Sequence, residues 1–187
     1  MLKNFIYLDC PNQEIIAKKS LDVLIQHSTL FTDFKGHNWR GPIVGFELVQ
    51  FLTMVPELEE WARSLGLSIR AFWLLAYYKT SSIHIDDDVS PRVNFPLSHG
   101  SAAVTEFFKI RNLEIKEAFD ETVKFQHLIF KDQDVTLIDS YKLTKPVVIN
   151  PAIPHRVFFD TPLSAENPRF AFSISFHESL KPMLEIK

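Results

Sequence analysis

Residues 81–97 read SSIHIDDDVSPRVNFPL and join two strand-like runs through a polar turn. The first run contains His84 and Asp86, whose side chains project to the same face because side chains alternate along a strand. Ile83 and Ile85 project to the opposite face, where they can pack into a core. An imidazole and a carboxylate on one face at a strand end are two of the three protein ligands of a common type of metal site.

A strand-like run near the end of the sequence carries an arginine among small residues. Residues 169–176, RFAFSISF, place Arg, Ala, Ser and Ser on one face and Phe, Phe, Ile and Phe on the other. The aromatic face must pack against another layer. The face with Arg169 and Ser173 has two interpretations. It is exposed to solvent, as is common in antiparallel sheets, or it lines a barrel in which the guanidinium anchors an anionic ligand.

His155 is the favoured third ligand of such a metal site. It starts a strand-like run after prolines that shape a bend, and Arg169 follows at a distance suited to an adjacent strand. His127 lies in another strand-like run and is the alternative third ligand, whereas His99 and His177 are expected at the surface. Two histidines and a carboxylate bind one face of Fe(II) and leave positions open for a chelating 2-oxo acid and for dioxygen.

The sequence changes character after Gly66. Before it, apolar residues recur near helical period in residues 13–27 and 46–65, with a break at Pro56. After it, strand-sized runs separated by turn residues predict a mainly β sandwich or barrel, with the N-terminal helices covering one outer face. These runs are residues 67–78, 81–86, 92–97, 104–110, 123–130, 135–143, 146–150, 155–159 and 169–176. Residues 113–119 are predicted as a short polar helix or loop.

Length and composition are those of an ordinary globular protein. The 187 residues suit one domain with a sizeable core. The net charge of -3 and the lack of a Lys/Arg cluster give no basis for nucleic-acid binding. Cys10 is the only cysteine, which excludes a disulfide within the chain and favours a reducing compartment, so we expect a cytoplasmic protein. No apolar run has the length that spans a bilayer, and no membrane association is expected.

Four segments in this order resemble the Fe(II)/2-oxoglutarate-dependent dioxygenases, which have a double-stranded β-helix (jelly-roll, cupin-like) fold. The segments are His84-x-Asp86, RVNFPL, PVVINPAIPHRVFF and PRFAFSISF. The segment after the first motif resembles the aspartyl/asparaginyl hydroxylase-like and prolyl-hydroxylase-like branches. The resemblance covers about residues 69–176 and implies a single oxygenase domain over residues 1–187. Residues 1–66 would form the helical support that covers the major sheet, and residues 67–177 the β-helix core.

The resemblance also implies roles for individual residues. His84, Asp86 and His155 would ligate Fe(II). Arg169 would pair with the distal carboxylate of the co-substrate 2-oxoglutarate, and Ser173 on the same face would assist it.

Weaker assignments concern the residues just after the first motif. Arg92 and Asn94 share a face, at the place where the asparaginyl hydroxylase-like branch has co-substrate contacts. Asp86 departs from that branch, because its best-known members lack the carboxylate ligand. Residues 29–45, predicted as a loop with short extended pieces, and residues 98–103 are expected to decide the substrate.

The implied reaction uses dioxygen and 2-oxoglutarate to hydroxylate an unactivated C–H bond, with release of succinate and carbon dioxide. The substrate would be a small molecule or a protein side chain. Two alternatives stay open: a non-catalytic jelly-roll module that binds a small ligand, and a cupin-like metal isomerase or another metalloenzyme. The complete set of His84, Asp86, His155 and Arg169 argues against the first, because a binding module has no need for all four. Arg169 argues against the second, because a metal-only mechanism needs no buried cation.

Overall fold

The structure of the protein is a computed structural model, which describes residues 2–27, 38–43, 46–111, 116–120, 125–164 and 166–185. The helices in these residues are α1 (Gln13–Gln26), α2 (Phe46–Met54), α3 (Pro56–Ser64) and α4 (Lys181–Leu184). Short 3₁₀ turns lie at Gly100–Ala102 and Asp132–Asp134. No described helix combines the length and the apolar character that crossing a membrane requires.

Strands account for most of the regular structure after residue 66. In chain order they are β1 (Phe5–Tyr7), β2 (Trp39–Ile43), β3 (Ile69–Tyr77), β4 (Ile83–Ile85), β5 (Arg92–Pro96), β6 (Val104–Ile110), β7 (Lys116–Asp120), β8 (Phe125–Phe130), β9 (Val135–Lys142), β10 (Val147–Ile149), β11 (His155–Phe158) and β12 (Arg169–Phe176).

The described strands form two six-stranded sheets in which neighbours are antiparallel. The first sheet has the order β1-β10-β5-β12-β3-β2, and the second has the order β7-β8-β4-β11-β6-β9. Many neighbours are distant in sequence, so the chain passes repeatedly from one sheet to the other. The predicted mainly β class is confirmed, and the two antiparallel sheets are consistent with a jelly roll.

Proline and glycine mark the bounds of α3, as the sequence predicts. Pro56 begins the helix, where its missing N–H is not needed. Gly66 follows the helix with a φ of 73°, a left-handed conformation that glycine adopts without a steric penalty.

One large hydrophobic cluster combines buried residues of α1, α2 and α3 with residues of β3, β5 and β12. Trp61 of α3 packs edge-on against Phe95 of β5, with ring centroids 5.3 Å apart. Phe51 of α2 packs in the same way against Phe172 of β12, with ring centroids 5.4 Å apart. Full burial of an aromatic side chain of this kind contributes about 1.5–3 kcal/mol.

The other face of β12 lies inside the protein. Arg169 and Ser173 are 1% and 3% exposed, respectively. Ala171, between them on the same face, packs with residues of the second sheet. Of the two interpretations of this face, the interior position is therefore confirmed and solvent exposure is wrong.

The prediction for residues 113–119 is wrong where the structure describes them. Lys116–Asp120 forms β7, which pairs with β8 in an antiparallel ladder. Pairing with β8 satisfies the backbone N–H and C=O groups of this polar segment, and it overrides the weak local preference for a helix or loop. Residues 112–115 lie outside the described residues.

Gly100 lies against the backbone of another segment. We expect Gly100→Ala to lower the free energy of unfolding by about 1–3 kcal/mol, because an added Cβ would overlap the carbonyl oxygen of Leu143. Gly66→Ala is the control, because a Cβ added at Gly66 meets no atom within 4 Å and the only penalty comes from its positive φ. This substitution should lower the free energy of unfolding by about 1 kcal/mol. Urea unfolding measures both, and a smaller loss for Gly100→Ala than for Gly66→Ala would contradict the steric argument.

Candidate metal centre

The three candidate ligands come together between two neighbouring strands. His84 of β4 lies opposite His155 of β11 in the antiparallel register, and Asp86 comes directly after β4. The Nε2 atom of His84 lies 3.6 Å from Oδ1 of Asp86, and the Nε2 atom of His155 lies 4.0 Å from Oδ2. One ligand atom from each residue lies within 4.8 Å of the other two. A single ion between them would be within reach of all three side chains.

Backbone carbonyls fix the tautomer of both imidazoles. Nδ1 of His84 lies 2.8 Å from the carbonyl oxygen of Ser82, and Nδ1 of His155 lies 2.9 Å from that of Ile153. A carbonyl oxygen only accepts, so each Nδ1 donates. In the neutral form of either ring the proton is thus on Nδ1 and Nε2 has the lone pair, and metal-binding histidines are oriented by the same kind of hydrogen bond.

His155 is poised in the form that binds a metal ion. Burial, together with the nearby His84, lowers the pKa of His155 to about 4. Its imidazole is therefore neutral at physiological pH, as a ligand must be. Two imidazoles and one carboxylate are donors that suit a divalent transition metal with open positions.

The cluster lines a cavity of about 40 Å³. Its lining consists of Leu75, Tyr77, His84, Asp86, Asn94, Thr105, Ile149, His155, Val157, Arg169 and Ser173. Both sheets contribute to this set, so the cavity lies between the two layers.

Arg169 brings a buried positive charge to this cavity. Among the described residues, nothing accepts a hydrogen bond from its Nε or Nη1 atoms. Burial lowers the pKa of Arg169, while the neighbouring Tyr141 and Tyr77 oppose this shift. A buried cation with unused donors costs free energy until an anion satisfies it. The cavity is therefore suited to an anionic ligand.

Ser173 and Asn94 lie opposite each other in the register of β12 and β5, and both line the cavity. The Nδ2 atom of Asn94 donates to the hydroxyl of Tyr141 at 3.3 Å. No described residue donates to the buried Oδ1 of Asn94. A ligand in the cavity would thus meet polar groups beside Arg169.

Arg92 lies beside the candidate metal ligand Asp86. It is buried but does not line the cavity. Its Nη1 atom lies 3.6 Å from Oδ2 of Asp86, and its Nη2 atom donates to the backbone carbonyl of Asp88. Arg92 therefore contacts a candidate metal ligand, and its predicted contact with a co-substrate stays a prediction.

Comparison with known proteins gives a structural likeness without a sequence match. No protein-family model and no curated protein matches the sequence. The crystal structure of HygX from Streptomyces hygroscopicus, with nickel and 2-oxoglutarate bound, aligns with a TM-score of 0.51 and 10% identity over 92% of this chain and 82% of HygX. The fold is similar to that of HygX.

Two further structures give weaker likenesses than HygX. AviO1 from Streptomyces viridochromogenes Tue57 aligns with a TM-score of 0.47 and 13% identity over 97% of this chain and 92% of that chain. The nickel complex of ThoJ, a non-heme monooxygenase, aligns with a TM-score of 0.45 and 15% identity over 92% of this chain and 73% of that chain. At such identities the likeness to HygX establishes the fold alone.

Two polar residues of the site are not singled out by the sequence pattern. Thr105 lines the cavity, and Tyr141 accepts the hydrogen bond from Asn94. Burial raises the pKa of Tyr141, against the effect of Thr105, Asn94 and the Arg169 charge, so the phenol is neutral. Alternation along β6 does place Thr105 on the face of the fully buried Phe107, a signal that could identify it.

The remaining candidate residues do not line this cavity or are not described. The side chain of His127 lies outside the described residues. His99 and His177 are exposed, as predicted. Residues 98–101 line a separate groove beside α1, which places part of the predicted substrate segment away from the metal cluster. Residues 29–37 and 44–45 are not among the described residues.

Proposed function

We propose that the protein is an Fe(II)- and 2-oxoglutarate-dependent oxygenase that hydroxylates an unactivated C–H bond. One observation carries this proposal: the cluster of His84, Asp86 and His155 shares a cavity with Arg169, a buried guanidinium with unused donors. A metal-binding cluster alone fits many enzymes, and a buried cation alone fits many ligands. Their combination suits a co-substrate that chelates the ion at one end and carries a carboxylate at the other.

His84, Asp86 and His155 would hold the ion. The carbonyl groups behind both Nδ1 atoms keep the rings in one orientation, so the site needs little rearrangement on loading. Bound Fe(II) would supply the activation of dioxygen, which no side chain performs by itself.

Arg169 would receive the distal carboxylate of 2-oxoglutarate. A charge-assisted hydrogen bond in a buried site is stronger than a neutral one, and the two nitrogens that find no acceptor in the described part of the chain can make it. Ser173 and Asn94 would add polar contacts, while Leu75 and Ile149 offer apolar surface to the methylene carbons. These contacts would orient a diacid with its oxo group toward the metal ligands.

The overall reaction balances as substrate, dioxygen and 2-oxoglutarate giving hydroxylated substrate, succinate and carbon dioxide. The position of the cavity between two sheets would limit the access of water to the reacting groups. The proposal includes a single domain over residues 1–187, a cytoplasmic location and a relation to the aspartyl/asparaginyl or prolyl hydroxylase-like branches. HygX supports it, since that protein of similar fold was crystallised with nickel and 2-oxoglutarate.

The test is the addition of Fe(II) and 2-oxoglutarate under anaerobic conditions. We expect a weak visible charge-transfer band that needs both components, followed by release of succinate when air is admitted. The band should be absent when succinate replaces 2-oxoglutarate, because succinate lacks the oxo group that chelates the ion. Equal binding of 2-oxoglutarate with and without metal, and no succinate in air, would instead favour the non-catalytic binding module.

A further inference from the structure

Arg92 is a buried arginine beside the candidate ligand Asp86, and the proposed reaction gives it no role. We propose that Arg92 is a positioning residue that engages one oxygen of the Asp86 carboxylate and leaves the other oxygen to the metal ion. This inference rests on the proposed function, because it concerns the same ligand set. It assigns Arg92 the task of keeping a coordination position free for the co-substrate.

The two oxygens of Asp86 have different neighbours. The side chains of Arg92 and Asp86 are 5% and 6% exposed, and Nη1 of Arg92 lies 3.6 Å from Oδ2. Oδ1 lies 3.6 Å from Nε2 of His84. Oδ2 is also 4.0 Å from Nε2 of His155, which is farther than the guanidinium. The carboxylate is thus oriented between a cation on one side and an imidazole on the other.

Arg92 is itself held in place by the turn at residues 88–90, which precedes β5. Its Nη2 atom donates to the backbone carbonyl of Asp88 and lies 4.0 Å from the carboxylate of the same residue. The Asp88 carboxylate also accepts a hydrogen bond of 2.9 Å from the backbone N–H of Ser90, which closes the turn. Because a guanidinium presents its donors in a rigid fork, fixing Nη2 on the turn also fixes the direction of Nη1.

The orientation of Asp86 matters for the number of open positions on the ion. A carboxylate binds a metal ion through one oxygen or through both. A carboxylate that used both would occupy a position that a chelating 2-oxo acid or dioxygen requires. A guanidinium that holds Oδ2 prevents this, without itself touching the ion.

Arg92→Gln and Arg92→Lys test this role in the full chain loaded with Co(II) or Ni(II). Lysine keeps the buried charge but has one nitrogen, so it cannot hold the turn and Asp86 together. We expect both variants to bind Ni(II) about 10–100-fold more weakly than the unsubstituted protein, because a partner behind the ligand Asp86 is lost, and to remain fully loaded at saturating Ni(II), because all three ligands are present. We expect 2-oxoglutarate to bind the Ni(II)-loaded variants about tenfold or more weakly, and the visible absorption of bound Co(II) to change in shape.

Arg70→Gln is the matched control. Arg70 lies at the outer end of the same charge network, 53% exposed and 3.9 Å from Asp88, and its removal should leave the Co(II) spectrum unchanged. An unchanged Co(II) spectrum and unchanged 2-oxoglutarate affinity in a folded Arg92→Gln or Arg92→Lys variant would overturn the positioning role. Failure of both variants to fold, judged by circular dichroism, would also overturn it, because Arg92 would then be structural.

Failure of the two proposals gives different results. If the unsubstituted protein binds neither Co(II) nor Ni(II), the proposed function is overturned together with the role of Arg92. If the unsubstituted protein binds metal and 2-oxoglutarate and the Arg92 variants match it, only the positioning role is overturned.

Discussion

His155→Ala is expected to lower the affinity for Ni(II) by more than about 100-fold, because the loss of a hydrogen-bond partner behind a ligand alone costs 10–100-fold. The substitution removes one of the three ligands and leaves His84 and Asp86 in place. Isothermal titration of Ni(II) into the metal-free variant gives the affinity. Fe(II)-dependent succinate release should disappear with it.

His127→Ala is the decisive control for this prediction, because the sequence leaves His127 as the alternative third ligand. The register of β4 and β11 brings His155 opposite His84, so His127→Ala should keep the Ni(II) affinity of the unsubstituted protein. His177→Ala, at an exposed position after β12, should also keep it. Loss of Ni(II) binding in His127→Ala together with normal binding in His155→Ala would show that the third ligand is assigned wrongly.

Arg169→Met is expected to change function and stability in opposite directions. Loss of a buried charged partner costs about 2–5 kcal/mol in binding, so 2-oxoglutarate should bind the Ni(II)-loaded variant at least about 30-fold more weakly. Without ligand, the variant no longer buries a cation whose Nε and Nη1 find no acceptor among the described residues. The free energy of unfolding of the metal-free protein should therefore rise, by about 1–3 kcal/mol.

Arg156→Met provides the contrast for Arg169→Met. Arg156 donates to Glu106 at 2.7 Å and to Asp132 at 2.8 Å, so its loss should lower the free energy of unfolding by about 1–3 kcal/mol. It lies outside the cavity, and the affinity for 2-oxoglutarate should not change. Urea unfolding and calorimetric titration measure both quantities. A destabilised Arg169→Met variant with unchanged 2-oxoglutarate affinity would mean that Arg169 is a structural residue.

Alternation along single strands determined much of this site from the sequence. It placed His84 and Asp86 on one face of the strand-like run at residues 81–86, and Arg169 and Ser173 on one face of the last strand. The spacing of apolar residues and of turn residues also predicted the mainly β class, and Pro56 predicted the start of α3. These features depend on a few neighbouring residues, so local rules suffice for them.

Tertiary structure decided which of these faces meet. The position of His155 opposite His84, the burial of the Arg169 face and the contact of Arg92 with Asp86 all depend on strands that pair across long sequence separations. Periodicity orients a side chain relative to its own strand, but it does not specify the partner strand or the register. Those depend on packing the whole chain into two layers, which is why Lys116–Asp120 forms a strand where the sequence predicts a short polar helix or loop over residues 113–119.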